Sequence, residues 1–292
     1  MNTRRGFILS CTVALIVTAL ATGTMAKSCL WKVTSKTGTL YLQGSIHILK
    51  ADSHPLAPAI EDAYAASDTL VLEVDMNEMS SPETQQRIMA KAMVSGTETL
   101  QQALDGVTYQ KLNAACDRAG LPIAALAQFK PWFVTMTLTL TRLQQMGFEP
   151  RYGLDSYFSV KAKGDGKKVI GLESVDFQID LLDSLSKENP NDFVTRALAD
   201  LAVIEKDVAS LVKAWETGDI DTLGALMSKS FESYPDLYRT FVLDRNERWL
   251  KTLSGLLKTS ETYMVVLGAG HLSEKGGLLE LLKQRGYALE QL

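Results

Sequence analysis

The chain contains three histidines, and two of them stand in the same four-residue frame near its opposite ends. Gly44-Ser45-Ile46-His47 follows the apolar run Leu40-Tyr41-Leu42, and Gly268-Ala269-Gly270-His271 follows Tyr263-Met264-Val265-Val266-Leu267. Each run reads as a strand that stops at a glycine, with an imidazole three residues on. Two further strand-like runs also deliver ionisable groups: Thr69 to Asp75 carries Glu73 and Asp75, and Lys168 to Leu172 leads into Glu173. In α/β proteins ligands bind at the carboxyl edge of the sheet, so these groups are expected to meet there. Two imidazoles and a carboxylate suit a divalent transition metal with open positions, such as manganese, cobalt or zinc. Such an ion lowers the pKa of bound water and polarises a carbonyl. Without a metal, the same groups can act as general base and acid on an ester or amide. Residue types alone leave both chemistries open.

Each candidate has a plainer reading beside the functional one. A lone histidine is more often a hydrogen-bonded structural group, but His47 and His271 in matching frames point to a shared site. Glu73 and Asp75 fall on one side of a strand by period two. Asp75 is better explained as the cap of the next helix, which leaves Glu73 as the ligand or base. Glu173 can cap the helix after it or orient a histidine. Gly44 and Gly268 allow a sharp turn or the close approach of a substrate. His54, in Asp52-Ser53-His54-Pro55, marks the start of a helix and is left out of the site. No His-Glu-x-x-His and no Gly-x-Ser-x-Gly occurs, and Gly268-Ala269-Gly270 lacks the third glycine of a dinucleotide loop.

These groups need a sheet and helices to hold them. Leu30 to Thr34 and Thr39 to Leu42, separated by Ser35-Lys36-Thr37-Gly38, predict a β-hairpin. Helices are expected over Pro55 to Ala66, Pro82 to Ser95, Tyr109 to Ala119, Asp176 to Ser186, Tyr234 to Leu257 and Gly277 to Arg285. Phe193, Ala197, Leu201, Ile204, Val208, Leu211 and Trp215 step along one face, predicting a long helix from Asn191 to Thr217. Thr135, Thr137, Thr139 and Thr141 alternate with apolar residues as a strand would. Pro131 and the continuation to Met146 favour a helix there instead. The expected architecture is α/β: a single-domain mixed sheet surrounded by many helices, with the site at the strand carboxyl ends.

Residues 1–26 read as an export segment: Arg4 and Arg5, an apolar stretch from Phe7 to Ala19, and Thr24-Met25-Ala26 before the cleavage point. Thr3-Arg4-Arg5-Gly6-Phe7-Ile8-Leu9 fits a twin-arginine signal as well as an ordinary secretory one. The apolar stretch is short for a stable membrane span. The mature domain is expected over residues 27–292, in the periplasm or secreted. The net charge of −4 becomes more acidic when the two arginines leave, and without a basic run the chain is not a nucleic-acid partner. Cys29 and Cys116 can form one disulfide or remain buried thiols.

The motifs together resemble the TraB/GumN (TraB/PrgY/GumN) family, which is similar to the Tiki metalloproteases. The resemblance runs through Gly44-Ser45-Ile46-His47, Leu72-Glu73-Val74-Asp75, Lys130-Pro131-Trp132 and Tyr152-Gly153-Leu154-Asp155. It continues in Gly171-Leu172-Glu173-Ser174, Asp244-Arg245-Asn246 and Val266-Leu267-Gly268-Ala269-Gly270-His271-Leu272. It implies a mixed α/β fold with the two Gly-x-x-His motifs close together. It also implies a divalent metal at His47, His271 and Glu73, with Glu173 and Arg245 as supporting catalytic groups. Arg245 can clamp a substrate carboxylate or an oxyanion, or pair with Asp155 or a neighbouring acid. Asp155 joins Gly44 and Gly268 as a candidate substrate-binding position. The leading expectation is an exported metal-dependent hydrolase acting on a peptide bond. A non-enzymatic binder of a peptide or small molecule and a metal-free esterase are the alternatives.

Overall fold

The computed structural model describes residues 27–232, 234–273 and 275–292. The expected export segment lies outside them. Six strands form one mixed sheet in the order β4-β3-β5-β2-β1-β6. In chain order these are β1 (Leu30–Thr34), β2 (Thr39–Ser45), β3 (Thr69–Leu72), β4 (Lys168–Gly171), β5 (Thr262–Gly268) and β6 (Ala288–Gln291). β1 and β2 are the expected hairpin, and β6 closes on β1 antiparallel. The pairs β2·β5, β5·β3 and β3·β4 are all parallel. The four strands that lead into His47, Glu73, Glu173 and His271 are therefore consecutive neighbours pointing the same way.

That arrangement follows from the apolar runs. Tyr263 to Leu267 is buried throughout, as expected of a central parallel strand covered on both faces. β4, at the edge, is only partly covered. Leu30, Val33, Leu40, Leu42, Leu70 and Val265 are fully or almost fully buried in the principal core. Cys29 and Cys116 are free, buried thiols in separate clusters.

The helices, in chain order, are α1 (Pro58–Ala65), α2 (Met76–Met79), α3 (Pro82–Ala92), α4 (Leu100–Ala103), α5 (Gly106–Arg118), α6 (Pro131–Gln145) and α7 (Leu154–Asp165). After β4 come α8 (Val175–Ser184), α9 (Pro190–Glu216), α10 (Ile220–Phe231), α11 (Pro235–Tyr238), α12 (Asp244–Leu256) and α13 (Leu278–Gln284). Two differ from expectation in a way that matters. The first helix opens at Pro58, not Pro55, because Pro58 takes the first-turn position where a missing N–H costs nothing. The segment expected as one helix from Tyr234 to Leu257 is broken by a π-helical turn at Arg239–Leu243 between α11 and α12. Such a turn inserts one residue and re-aims the side chains around it. α2, α4, α7 and α10 had no expectation attached.

The threonine-rich stretch is helical, as α6. The hydroxyls of Thr135, Thr137 and Thr141 donate to the carbonyls of Pro131, Phe133 and Thr137, at 3.0, 2.8 and 2.8 Å. Bonding four residues back satisfies those polar groups inside a helix. α9 joins two cores. Its first half packs with α4, α5 and α6 around Leu100, Leu112, Val134, Leu138 and Val194. Its second half brings Leu211 and Trp215 to the sheet.

Candidate active site

His47 leaves β2 two residues past the end of the strand. Its Nδ1 lies 2.8 Å from Asp155 Oδ2, and Ser45 Oγ donates to the same carboxylate oxygen. Asp155 sits in the first turn of α7, where the helix end favours negative charge. α7 reaches β2 this closely because residue 153 is glycine: a Cβ there would stand 2.1 Å from the His47 carbonyl oxygen. A carboxylate only accepts, so His47 carries its proton on Nδ1 and turns Nε2 outward. The Asp155 charge holds the imidazole pKa above its ordinary value against the cost of burial, and Glu73 adds to the effect. The ring's other side is open, with 61% of the side-chain surface exposed, so solvent screens that shift.

Glu73, one residue past β3, is 6% exposed. The Gly268 N–H donates to its Oε1 at 2.7 Å, and the same oxygen faces His47 Nε2 at 3.9 Å. Arg245 Nη2 donates to Oε2 at 2.6 Å. Burial pushes the Glu73 pKa up, but His47, His271, Arg245 and the Gly268 N–H outweigh it and bring it down to about 2. Asp75, by contrast, caps α2, accepting from the Asn77 N–H at 2.8 Å. That is the structural role expected for it.

Glu173, past β4, binds the guanidinium of Arg245 along one edge: Nη2 to Oε1 at 2.6 Å and Nε to Oε2 at 3.2 Å. Arg245 is 6% exposed and bridges Glu73 and Glu173, not Asp155. Asp155 lies behind His47, also 6% exposed, so it orients the imidazole and does not face a ligand.

His271 ends the 3-10 turn that follows β5. Its Nδ1 lies 2.8 Å from Asn246 Oδ1, and Arg245 Nη1 approaches its Nε2 at 3.1 Å. Trp249 covers the ring, with centroids 4.4 Å apart. Burial pulls the His271 pKa down to about 4, with Arg245 and His47 assisting against the opposing pull of Glu73. The imidazole is therefore neutral at pH 7.

The two glycine frames are not equivalent. In the β2·β5 ladder Gly44 faces Leu267, and it is Ser45 that faces Gly268. A Cβ on Gly44 would stand 2.5 Å from Cys29 Sγ, so this glycine serves packing and not substrate approach. A Cβ on Gly268 would stand 3.2 Å from Glu73 Oε1, 3.4 Å from His47 Nε2 and 3.6 Å from His271 Cδ2. Gly268 is thus the point around which the three groups converge. His54 is elsewhere: its Nε2 meets the Tyr152 carbonyl at 2.9 Å and its ring packs on Tyr157.

A model of the TraB/PrgY/gumN family matches residues 29–291. The chain belongs to this family. Among its TraB/PrgY/gumN relatives are proteins of Escherichia coli (strain K12) and Shigella flexneri, each described as "Uncharacterized protein YbaP". Each is 25% identical over 246 residues, covering 83% of this chain and 87% of the relative. No solved structure matches.

The sequence motifs of this TraB/PrgY/gumN protein left three contributors without a role. Gln178, on α8, donates to Glu73 at 3.3 Å and to Glu173 at 3.0 Å. Trp249 donates to Glu173 at 3.2 Å. Asn246 holds His271. Arg245 and Trp249 are four apart on α12, a spacing that places them on one face. Gln178 carried no comparable signal, because its approach depends on how α8 packs.

The donor chemistry suits a divalent cation. His47 Nε2 and Glu73 Oε1 open on one space, and each imidazole has its Nδ1 tied to an oxygen, the usual support for a metal-binding histidine. His271 can join only if Arg245 Nη1 leaves its Nε2. As the side chains stand, no three His, Cys, Asp or Glu among the described residues are grouped to hold a metal ion.

Proposed function

We propose that this chain is an exported hydrolase, acting on a peptide bond, that takes a divalent metal at His47, Glu73 and His271. The observation that carries the reading is the convergence of those three side chains around Gly268. Charge supports it: the site gathers three carboxylates, Glu73, Glu173 and Asp155, against a single arginine. That excess favours a proton on His47 in the metal-free protein, and would favour a cation in its place. A bound metal would supply a water of lowered pKa and polarise the scissile carbonyl.

The chain's own residues have separable tasks. Asp155 and Ser45 hold the His47 ring, Arg245 and Gln178 hold the carboxylates of Glu73 and Glu173 in place, and Gly268 leaves room for a substrate backbone. The Gly268 N–H and Arg245 fix the Glu73 carboxylate at the convergence of the two imidazoles, which favours a ligand role over that of general base. The similarity to Tiki metalloproteases belongs to this reading, as does a periplasmic or secreted location.

One observation favours a second reading. Arg245, Glu73 and Glu173 satisfy one another, and a closed network of that kind suits a non-enzymatic binder of a peptide or small molecule. The test is to assay protein purified without chelator on a broad peptide and ester panel, supplied in turn with manganese, cobalt and zinc. Metal-dependent cleavage supports the hydrolase. Tight binding of a panel peptide with no cleavage under any metal supports the binder.

A further inference from the structure

We infer that Asn246 is the positioning residue of His271, holding its imidazole in the Nδ1–H tautomer so that the Nε2 lone pair is turned into the strand-end site. The inference deepens the hydrolase reading and rests on it only for the use made of that lone pair.

The argument is one of donors and acceptors. Asn246 is fully buried, and its amide nitrogen lies 2.9 Å from the Gly276 carbonyl and 3.3 Å from the His271 carbonyl. Carbonyls only accept, so the Nδ2 end of the amide must point at them. Oδ1 therefore faces the ring at 2.8 Å, and being an acceptor it requires a proton on Nδ1. The opposite side of the ring gives the same answer independently. Arg245 Nη1 stands 3.1 Å from Nε2, and a guanidinium only donates, so Nε2 must be the bare nitrogen.

An asparagine does this better than an aspartate would. An uncharged acceptor fixes the tautomer without adding a fourth carboxylate to a buried cluster that already has three. The two amide N–H bonds also tie the segment around His271 and Gly276 to α12. The preceding residue on that helix, Arg245, holds Glu73 and Glu173. One dipeptide thus sets the groups delivered by β3, β4 and β5, and the π-helical turn just before it determines where that dipeptide points.

The test is the tautomeric state of each imidazole, read from long-range proton–nitrogen NMR correlations in the chelator-treated full chain. Three histidines make the spectrum assignable with His47→Gln and His54→Gln. The expected result is Nδ1–H at His271, beside Nε2–H at His54, whose Nε2 meets a carbonyl. In Asn246→Leu, where Arg245 alone still donates to Nε2, the Nδ1–H proton of His271 loses its acceptor and its resonance should move upfield, and turnover of a cleaved substrate should fall by about 10- to 100-fold, the usual cost of removing such a support. Asn246→Asp keeps an acceptor and should keep Nδ1 protonated. Nε2–H at His271 in the wild-type protein, a result needing no variant to fold, would overturn the inference. So would an Nδ1–H chemical shift left unchanged in Asn246→Leu. Absence of cleavage by the wild-type protein would instead overturn the hydrolase reading, while the tautomer would still decide the role of Asn246.

Discussion

His271 and Glu73 occupy neighbouring positions yet answer to opposite forces. Burial dominates at the imidazole, which is neutral down to about pH 4; positive neighbours dominate at the carboxylate, which stays ionised to about pH 2. Acid titration of the metal-free protein should separate them. The unfolded chain protonates its histidine near its ordinary value of 6.5, whereas folded His271 does not. Its contribution to stability is therefore lost as pH falls from about 6.5 to about 4. Glu73 contributes stability above its ordinary value of 4.5, and this is lost only as pH falls toward 2. Urea midpoints measured at pH 7, 5.5 and 4.5 should decline in the wild-type chain and decline less in His271→Gln. Equal slopes would show that His271 is not held neutral. Glu73→Gln tests the other group: as a ligand, its loss should weaken metal binding and turnover together. Turnover lost with metal binding intact would make Glu73 the base.

At the scale of elements, the site depends on α8 as much as on strands. α8 follows Glu173 and is fastened to the start of α6 through Asp183. That carboxylate is 2% exposed and accepts from Lys130 Nζ at 2.7 Å and Trp132 Nε1 at 3.1 Å, with Lys187 3.1 Å away. Burial raises its pKa, but the two lysines pull it below the ordinary aspartate value. Asp183→Leu should cost about 2–4 kcal/mol in urea unfolding, since it strands buried donors. Lys187→Ala, at an exposed partner, should cost about 0.5 kcal/mol or less. The gap between Asp183→Leu and the wild-type chain should close as pH falls below 3.8, where the unfolded aspartate takes up its proton. A gap that persists unchanged at pH 2 would contradict the ion-pair account. The sequence made this scale legible where periodicity is strong, as in β5 and α9. It concealed the π-helical turn, because Tyr234 to Leu257 has continuous helical composition and nothing local marks the inserted residue.

For the whole molecule, topology explains why so much of the site could be read in advance. Four strand-end groups gather because β4, β3, β5 and β2 are parallel neighbours, and βαβ crossovers place all their ends on one edge. The partners of those groups were less legible. Asp155 was expected to touch substrate or pair with Arg245, but the closeness of α7 to β2 at Gly153 gives it to His47. The offset between the glycine frames is a matter of register, which no single strand's sequence contains. Among the described residues no helix is long and apolar enough to cross a membrane. Export is a separate proposal: N-terminal sequencing of extracytoplasmic protein should begin near Lys27, and retention of residues 1–26 in a cytoplasmic product would contradict it.

The central claim is that His47 and His271, more than two hundred residues apart in the chain, serve one centre. Calorimetric titration of manganese, cobalt or zinc into the chelator-treated protein tests it most directly. The account predicts one metal per chain for at least one of these ions, with affinity falling as the histidines protonate, and loss of that binding in both His47→Ala and His271→Ala. Metal binding that survives either substitution unchanged, or no binding of any of the three ions by the wild-type chain, would contradict it.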